Sequence, residues 1–205
     1  CGEVKVMGIK ARIFRISFSG ELGYELAIPS RFGGSLFDLL RLEAEQLGGG
    51  VYGMEAMNVL RLEKGFLTHA EIDGRATAYD VGMQKMVSEK KDFIGCKMAQ
   101  RPGLLDPNRE RLVGLKTNGP QSTLTAGSLL YNIDDELLAD NSQGHISSVA
   151  FSPIGNCYIG LAFVKRGPER WGEKIKAVNF LTNTELNCEV CSPIFYDPDG
   201  KKIRA

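Results

Sequence analysis

Long apolar runs are missing from this 205-residue chain: none approaches the ~20 consecutive residues a membrane-spanning helix needs. The opening stretch CGEVKVMGIKARIF has no apolar core of the kind a secretory leader carries. It begins with Cys rather than Met, which fits a piece of a longer polypeptide. Excess charge is missing too. Twenty-five basic residues balance 25 acidic ones, so neither nucleic acid nor an anionic membrane is expected as the main partner. Histidine is scarce, with only His69 and His145, and no G-x-S-x-G occurs; Ser-His-Asp catalysis has no support. GGGVYG (48–53) lacks the G-x-G-x-x-G frame and a preceding strand, which excludes a dinucleotide fingerprint there.

Five cysteines are present, and Cys188 and Cys191 form a lone C-x-x-C. In an extended chain that spacing sends the two thiols to opposite faces, and no second C-x-x-C or His pair completes a metal site. Structural, reduced cysteines in a cytoplasmic protein and no bound metal are therefore expected.

KARIFRISFSG alternates, with Phe14, Ile16 and Phe18 on one side. YELAI alternates as well, with Tyr24, Leu26 and Ile28 together, and SGELG joins the two runs. The pattern predicts a β-hairpin with Glu25 pointing away from Tyr24, Leu26 and Ile28. Ser30 is the expected cap of a helix carrying Phe32, Leu36, Leu39, Leu40 and Leu47 on one stripe, ended by Gly48–Gly50. GMEAMNVLRLEKGF predicts a second helix closed by Gly65, and KDFIGCKMAQRP a short one stopped by Pro102. RPGLLDPNRER (101–111) marks a boundary between a domain over 1–104 and one over 109–205. Beyond it, RLVGLKT, GSLLYN, ELLAD, GHISSVAFS, CYIGLAFVK, EKIKAVNF and LNCEVCSPIF are short strand-like runs, which suggest a small antiparallel barrel or sandwich. His145 opens one such strand and suits a surface role; His69 follows a helix, in a loop that could line a site.

Glu25 has two readings. It is a solvated strand residue, or it is a ligand carboxylate that accepts paired N–H bonds from a planar amidine-like edge. The pattern does not choose between them.

Five stretches follow one another in an order that does choose: FRISFSGELGYELAIPS, LRLEKGFLTHAEIDGRATAYDVGM, KKDFIGCKMAQRPGL, GHISSVAFSPIGNCYIGLAFVK and SPIFYDPDGKKIRA. Together they resemble the folate-binding aminomethyltransferase family of glycine-cleavage T-proteins, dimethylglycine oxidase and the folate domain of sarcosine oxidase. RISFSGELGYE, EIDGRATAYDVG and the ending point to the C-terminal region of heterotetrameric sarcosine oxidase alpha subunits. The resemblance implies an α+β fold: part of the folate-binding domain, hairpin plus helices, followed by a small antiparallel β-barrel. It implies that the glutamate of the GYE element, Glu25, bonds the pterin ring of tetrahydrofolate. Phe18 stands where T-proteins often have Tyr. Tyr24 and, from the LRLEKG helix, Arg61 are implied as further folate contacts. An arginine of T-proteins in that helix aligns with Met57, so the folate-tail contact falls to Arg61 or to a residue outside this chain.

The family's catalytic aspartate belongs to a segment N-terminal to this chain, so no catalytic base is expected here. FAD, FMN and NAD of the complete oxidase are expected outside this region. The implied partners are a flavin-containing beta subunit and small gamma and delta subunits. The implied reaction is oxidative demethylation of sarcosine to glycine with one-carbon transfer to tetrahydrofolate, and this region alone is expected to be inactive. The alternatives are a T-protein-like aminomethyltransferase and a non-catalytic folate-binding domain.

Overall fold

The computed structural model describes residues 1–205. They group into two compact units, Cys1–Arg61 with Asp197–Ala205, and Leu62–Tyr196.

The first unit opens with a hairpin that the alternation VKV…IKARI encodes. Strands β1 (Gly2–Val6) and β2 (Ile9–Phe14) pair antiparallel around Met7 and Gly8, which have φ of 49° and 80°. Positive φ at both turn residues matches the right-handed strand twist, and glycine takes the second position without a Cβ penalty. Strand β3 (Glu25–Ala27) adds to the other side of β2, with Arg12 opposite Ala27, Ile13 opposite Leu26 and Phe14 opposite Glu25.

The expected β2–β3 hairpin is therefore present, but its strand ends at Phe14, not Phe18, and the connection is long. Ser17 and Ser19 explain this. The Ser17 hydroxyl accepts from the Gly20 amide (3.2 Å) and that of Ser19 from Glu21 (3.4 Å), so local bonds displace the ladder. Gly23 lets the loop fold back: a Cβ there would lie 2.9 Å from the Ile16 carbonyl oxygen.

A 3-10 turn over Ser30–Phe32 leads into α1 (Gly33–Gln46). Ser30 is not its cap; Phe32 holds that position without a side-chain bond. No α1 residue is buried. Helix α2 (Met54–Glu63) ends as expected before Gly65, whose φ is 73°.

The second unit is built on a closed antiparallel barrel in the order β4 (Glu110–Lys116), β7 (Cys157–Lys165), β6 (Gly144–Ser152), β5 (Leu129–Asn132), β8 (Lys174–Asn179), β9 (Thr184–Cys191). ELLAD is not a strand; Ala139–Asn141 form a 3-10 turn. Alternation sends Val113, Leu115, Leu130, Ile146, Ala162, Val164, Ile175, Cys188 and Val190 into one cluster inside the barrel. The opposite parity of β4 and β7 is apolar as well, because a second cluster covers it. Leu112, Ile159, Leu161 and Phe163 pack there with Leu62, Leu67, Ala76 and Val81.

The segment between α2 and β4 thus serves as a cover for the barrel's outside. It carries two short helices, α3 (Cys96–Ala99) and α4 (Pro102–Leu105); Pro102 ends the first run, as expected, and opens the second. No helix is long and apolar enough to cross a membrane.

Candidate functional site

In the first unit, register and burial divide the three-stranded sheet into two faces. Val4, Val6, Ile9, Ile13 and Leu26 are half-buried and Ala11 is buried, all on one face. The other face carries Glu3 and Lys5 from β1, Lys10, Arg12 and Phe14 from β2, and Glu25 and Ala27 from β3. Apart from the half-buried Phe14, these residues are exposed.

Glu25 stands directly across from Phe14, and its carboxylate has no hydrogen bond or ion pair within the chain. Tyr24 precedes it with 57% exposure, and Phe18, in the serine-bonded loop, is 40% exposed. Arg61 lies elsewhere in the unit. It is buried near the end of α2 and donates from Nε to Asn58 Oδ1 at 2.9 Å, so it is anchored by its own helix. Met57, one turn earlier, is half-buried.

A concavity of about 600 Å³ is lined by Glu3–Lys5, Lys10–Arg12 and residues 27–29, and so takes in these cations but not Glu25 itself. Sequence reasoning missed these cations. Their signal was the alternation of Lys or Arg with apolar residues on either side of Met7–Gly8, where Met is an uncommon first residue for a tight hairpin.

In the second unit, buried carboxylates hold the cover to the barrel. Glu71, 1% exposed, accepts from the Ser148 hydroxyl (2.5 Å) and the Ser147 hydroxyl (2.8 Å) through Oε1, and from the Thr68 amide (2.9 Å) through Oε2. A β-bulge between Ile146 and Ser148 brings both serines to this carboxylate. Glu63 accepts from the Ser152 hydroxyl at 2.6 Å. Asp80 accepts twice from Arg109 and from the Thr77 amide and hydroxyl. Burial pushes the Asp80 carboxyl up, but the Arg109 and Thr77 bonds outweigh it and hold it below the usual carboxylate range.

His145 is one-third exposed, stacked on Phe163 (5.7 Å between rings) with Nδ1 3.4 Å from Glu110 Oε2. Both rings border a cavity of about 450 Å³ with Arg75, Arg109 and Lys165. His69 is exposed on a turn.

The cysteines are unpaired. On β9, Cys188 is buried in the barrel interior and Cys191 borders a separate pocket beside Cys157 and Lys116. Among the described residues no group of three His, Cys, Asp or Glu could hold a metal ion.

Two family profiles match the chain: the GCVT N-terminal domain over residues 1–91 and the glycine cleavage T-protein C-terminal barrel domain over residues 110–197. The sarcosine oxidase subunit alpha of Rhizobium meliloti is 39% identical over 204 residues, covering 98% of this chain and 21% of the relative. The aminomethyltransferase of Thermoanaerobacter pseudethanolicus is 25% identical over 207 residues, covering 98% of this chain and 52% of the relative. The crystal structure of the glycine cleavage system aminomethyltransferase T from Bartonella henselae superposes with a TM-score of 0.75 at 24% identity, over 89% of this chain and 49% of that one. The chain thus spans about a fifth of the alpha subunit and about half of the aminomethyltransferase. With an α+β first part and a closed antiparallel barrel in the order of the two profiles, this chain belongs to the glycine-cleavage T-protein family.

Proposed function

We propose that this chain is the tetrahydrofolate-binding region of a sarcosine-oxidase-type alpha subunit. The observation that carries the reading is the 39% identity to the Rhizobium meliloti alpha subunit across 98% of the chain. The aminomethyltransferase reading comes second, supported by 25% identity over the same span. In the complete enzyme, sarcosine, tetrahydrofolate and oxygen would yield glycine, 5,10-methylenetetrahydrofolate and hydrogen peroxide. The flavin and nicotinamide groups belong, in this reading, to other regions or to partner subunits, in a cytoplasmic assembly.

The residues present fit a reduced folate. Glu25 is an acceptor-only carboxylate without a partner in the chain, and the 2-amino and N3–H groups of a pterin form a donor edge that matches it. Phe18 and Tyr24, on the loop leading into β3, expose ring surface against which a flat heterocycle can pack. Arg61 is a further contact in this reading, reached with its guanidinium already fixed by Asn58. Bound tetrahydrofolate would supply the amines that take up the one-carbon unit. The work of this chain is to hold the ring in one orientation, so that capture outpaces escape to water.

The test is product partition in the intact protein. With tetrahydrofolate present, sarcosine turnover is expected to give methylenetetrahydrofolate, and Glu25→Gln is expected to release formaldehyde while turnover continues. Formaldehyde as the only product of wild type, at saturating folate, would refute the proposal.

A further inference from the structure

The sheet face that carries Glu25 also carries an unneutralised row of cations. Lys5 and Lys10 are directly opposed in the β1–β2 ladder, and Arg12 follows on the same face of β2. Like charges opposite one another in a ladder are destabilising. None of the three has a hydrogen bond or ion pair within the described residues. Glu3, opposite Arg12, is the one acid lining the same 600 Å³ concavity. A folded chain keeps such a row at a cost to stability, and an anion seated in the concavity offsets that cost.

The row also has a direction. Glu25 faces Phe14, the Arg12 guanidinium lies 5.8 Å from the Phe14 ring, and Lys10 and its partner Lys5 come next. From Phe14 to Lys10 the strand advances roughly 13 Å at its usual rise per residue. The face therefore presents an acceptor at one end, an aromatic ring beside it and cations at the other end. That polarity suits a ligand with a hydrogen-bond-donating heterocycle at its head and carboxylates at its tail.

We propose that Lys5, Lys10 and Arg12 form the carboxylate-binding half of the site, taking the glutamate tail of the folate whose ring Glu25 accepts. The inference rests on the folate reading above and assigns to that ligand residues that the ring contact does not use. Exposed ammonium and guanidinium groups act here through charge, so the interaction weakens with salt and strengthens with each added glutamate.

The test is titration calorimetry on the intact protein with three probes: tetrahydrofolate, its triglutamyl form, and a reduced pterin lacking the tail. Wild type, the double variant Lys10→Gln with Arg12→Gln, and Glu25→Gln are compared. All three side chains are exposed, so folding is expected to survive, and thermal melts check it. The double variant is expected to lose on the order of tenfold in affinity for the tailed ligands and about twofold or less for the tail-less pterin. Glu25→Gln is expected to weaken all three probes. Raising salt should erode wild-type affinity for the triglutamate most. Wild-type affinity of the double variant for the triglutamyl ligand overturns the inference, as does an equal loss for tailed and tail-less probes. An unchanged Glu25→Gln alongside a tail-selective loss strikes only the ring assignment and upholds the cation row. No binding of any probe by wild type strikes both.

Discussion

Asp80 accepts two hydrogen bonds from the guanidinium of Arg109, 3.0 Å from Nε and 2.7 Å from Nη2, across 29 residues of chain. The pair ties the cover to the first barrel strand: the Asp80 carbonyl also accepts from the Leu112 amide at 2.7 Å. Asp80 is buried, whereas Arg109 keeps a quarter of its side chain in solvent. The carboxylate therefore depends on the pair more than the guanidinium does.

A carboxyl held below its ordinary value stabilises the folded state at pH above the unfolded value, about 3.9 for Asp, and loses that contribution as pH falls through the folded value. Asp80→Asn is expected to cost about 1.5–3 kcal/mol at neutral pH, the range for hydrogen bonds to a charged group. The gap to wild type should close on acidification below about pH 4. Urea unfolding at neutral and acidic pH checks both. A gap that persists unchanged in acid would show that geometry, not charge, carries the pair.

The thiols should differ sharply in reactivity. Burial pushes Cys188 up to about 12 and Cys191 up to about 11, and raises Cys157, whereas Cys1 is exposed. Because the thiolate is the nucleophile, iodoacetamide at pH 8 is expected to modify Cys1 first and to reach Cys188 only on unfolding. Peptide mapping after timed quenching reads the order. Early labelling of Cys188 in the folded protein would contradict its placement inside the barrel.

We propose the domain joint between residues 104 and 109. The stretch around it is mostly exposed and carries Pro102, Pro107 and three arginines within 101–111. Brief trypsin treatment is expected to cut within 101–111 and leave the barrel strands intact. Residues 62–100 should stay attached without a covalent link, because Leu62, Leu67 and Glu71 pack or bond against the barrel's outside. Cleavage through β6 and β7 at the same rate would argue against a joint there.

Much of this architecture is legible from alternation alone. β6 and β7 stand where GHISSVAFS and CYIGLAFVK place them, and the exposed face of Glu25 follows from period two in YELAI. What stays hidden depends on local competition or distant partners. Phe14 to Phe18 alternates like a strand, yet Ser17 and Ser19 take the backbone donors and end it. ELLAD has strand-like residues and finds no ladder partner. Glu71 reads as one more acid in a loop, since the serines that accommodate it lie 76 and 77 residues away at a bulge. The cations beside Glu25 became a row only when the Met7–Gly8 turn set Lys5 against Lys10.

The central claim is that Glu25 is a ligand carboxylate, and its affinity for tetrahydrofolate measures that claim most directly. Gln keeps the size of the side chain but presents a donor where the pterin presents its own. One charge-assisted bond is lost and one N–H is left opposed. Such a bond contributes on the order of 1.5–3 kcal/mol, so Glu25→Gln in the intact protein is expected to bind tetrahydrofolate roughly ten- to a hundredfold more weakly by titration calorimetry. Glu43→Gln, at an exposed position on α1, is the control and should match wild type. Equal affinities for wild type and Glu25→Gln would return Glu25 to a solvated strand residue and contradict the account.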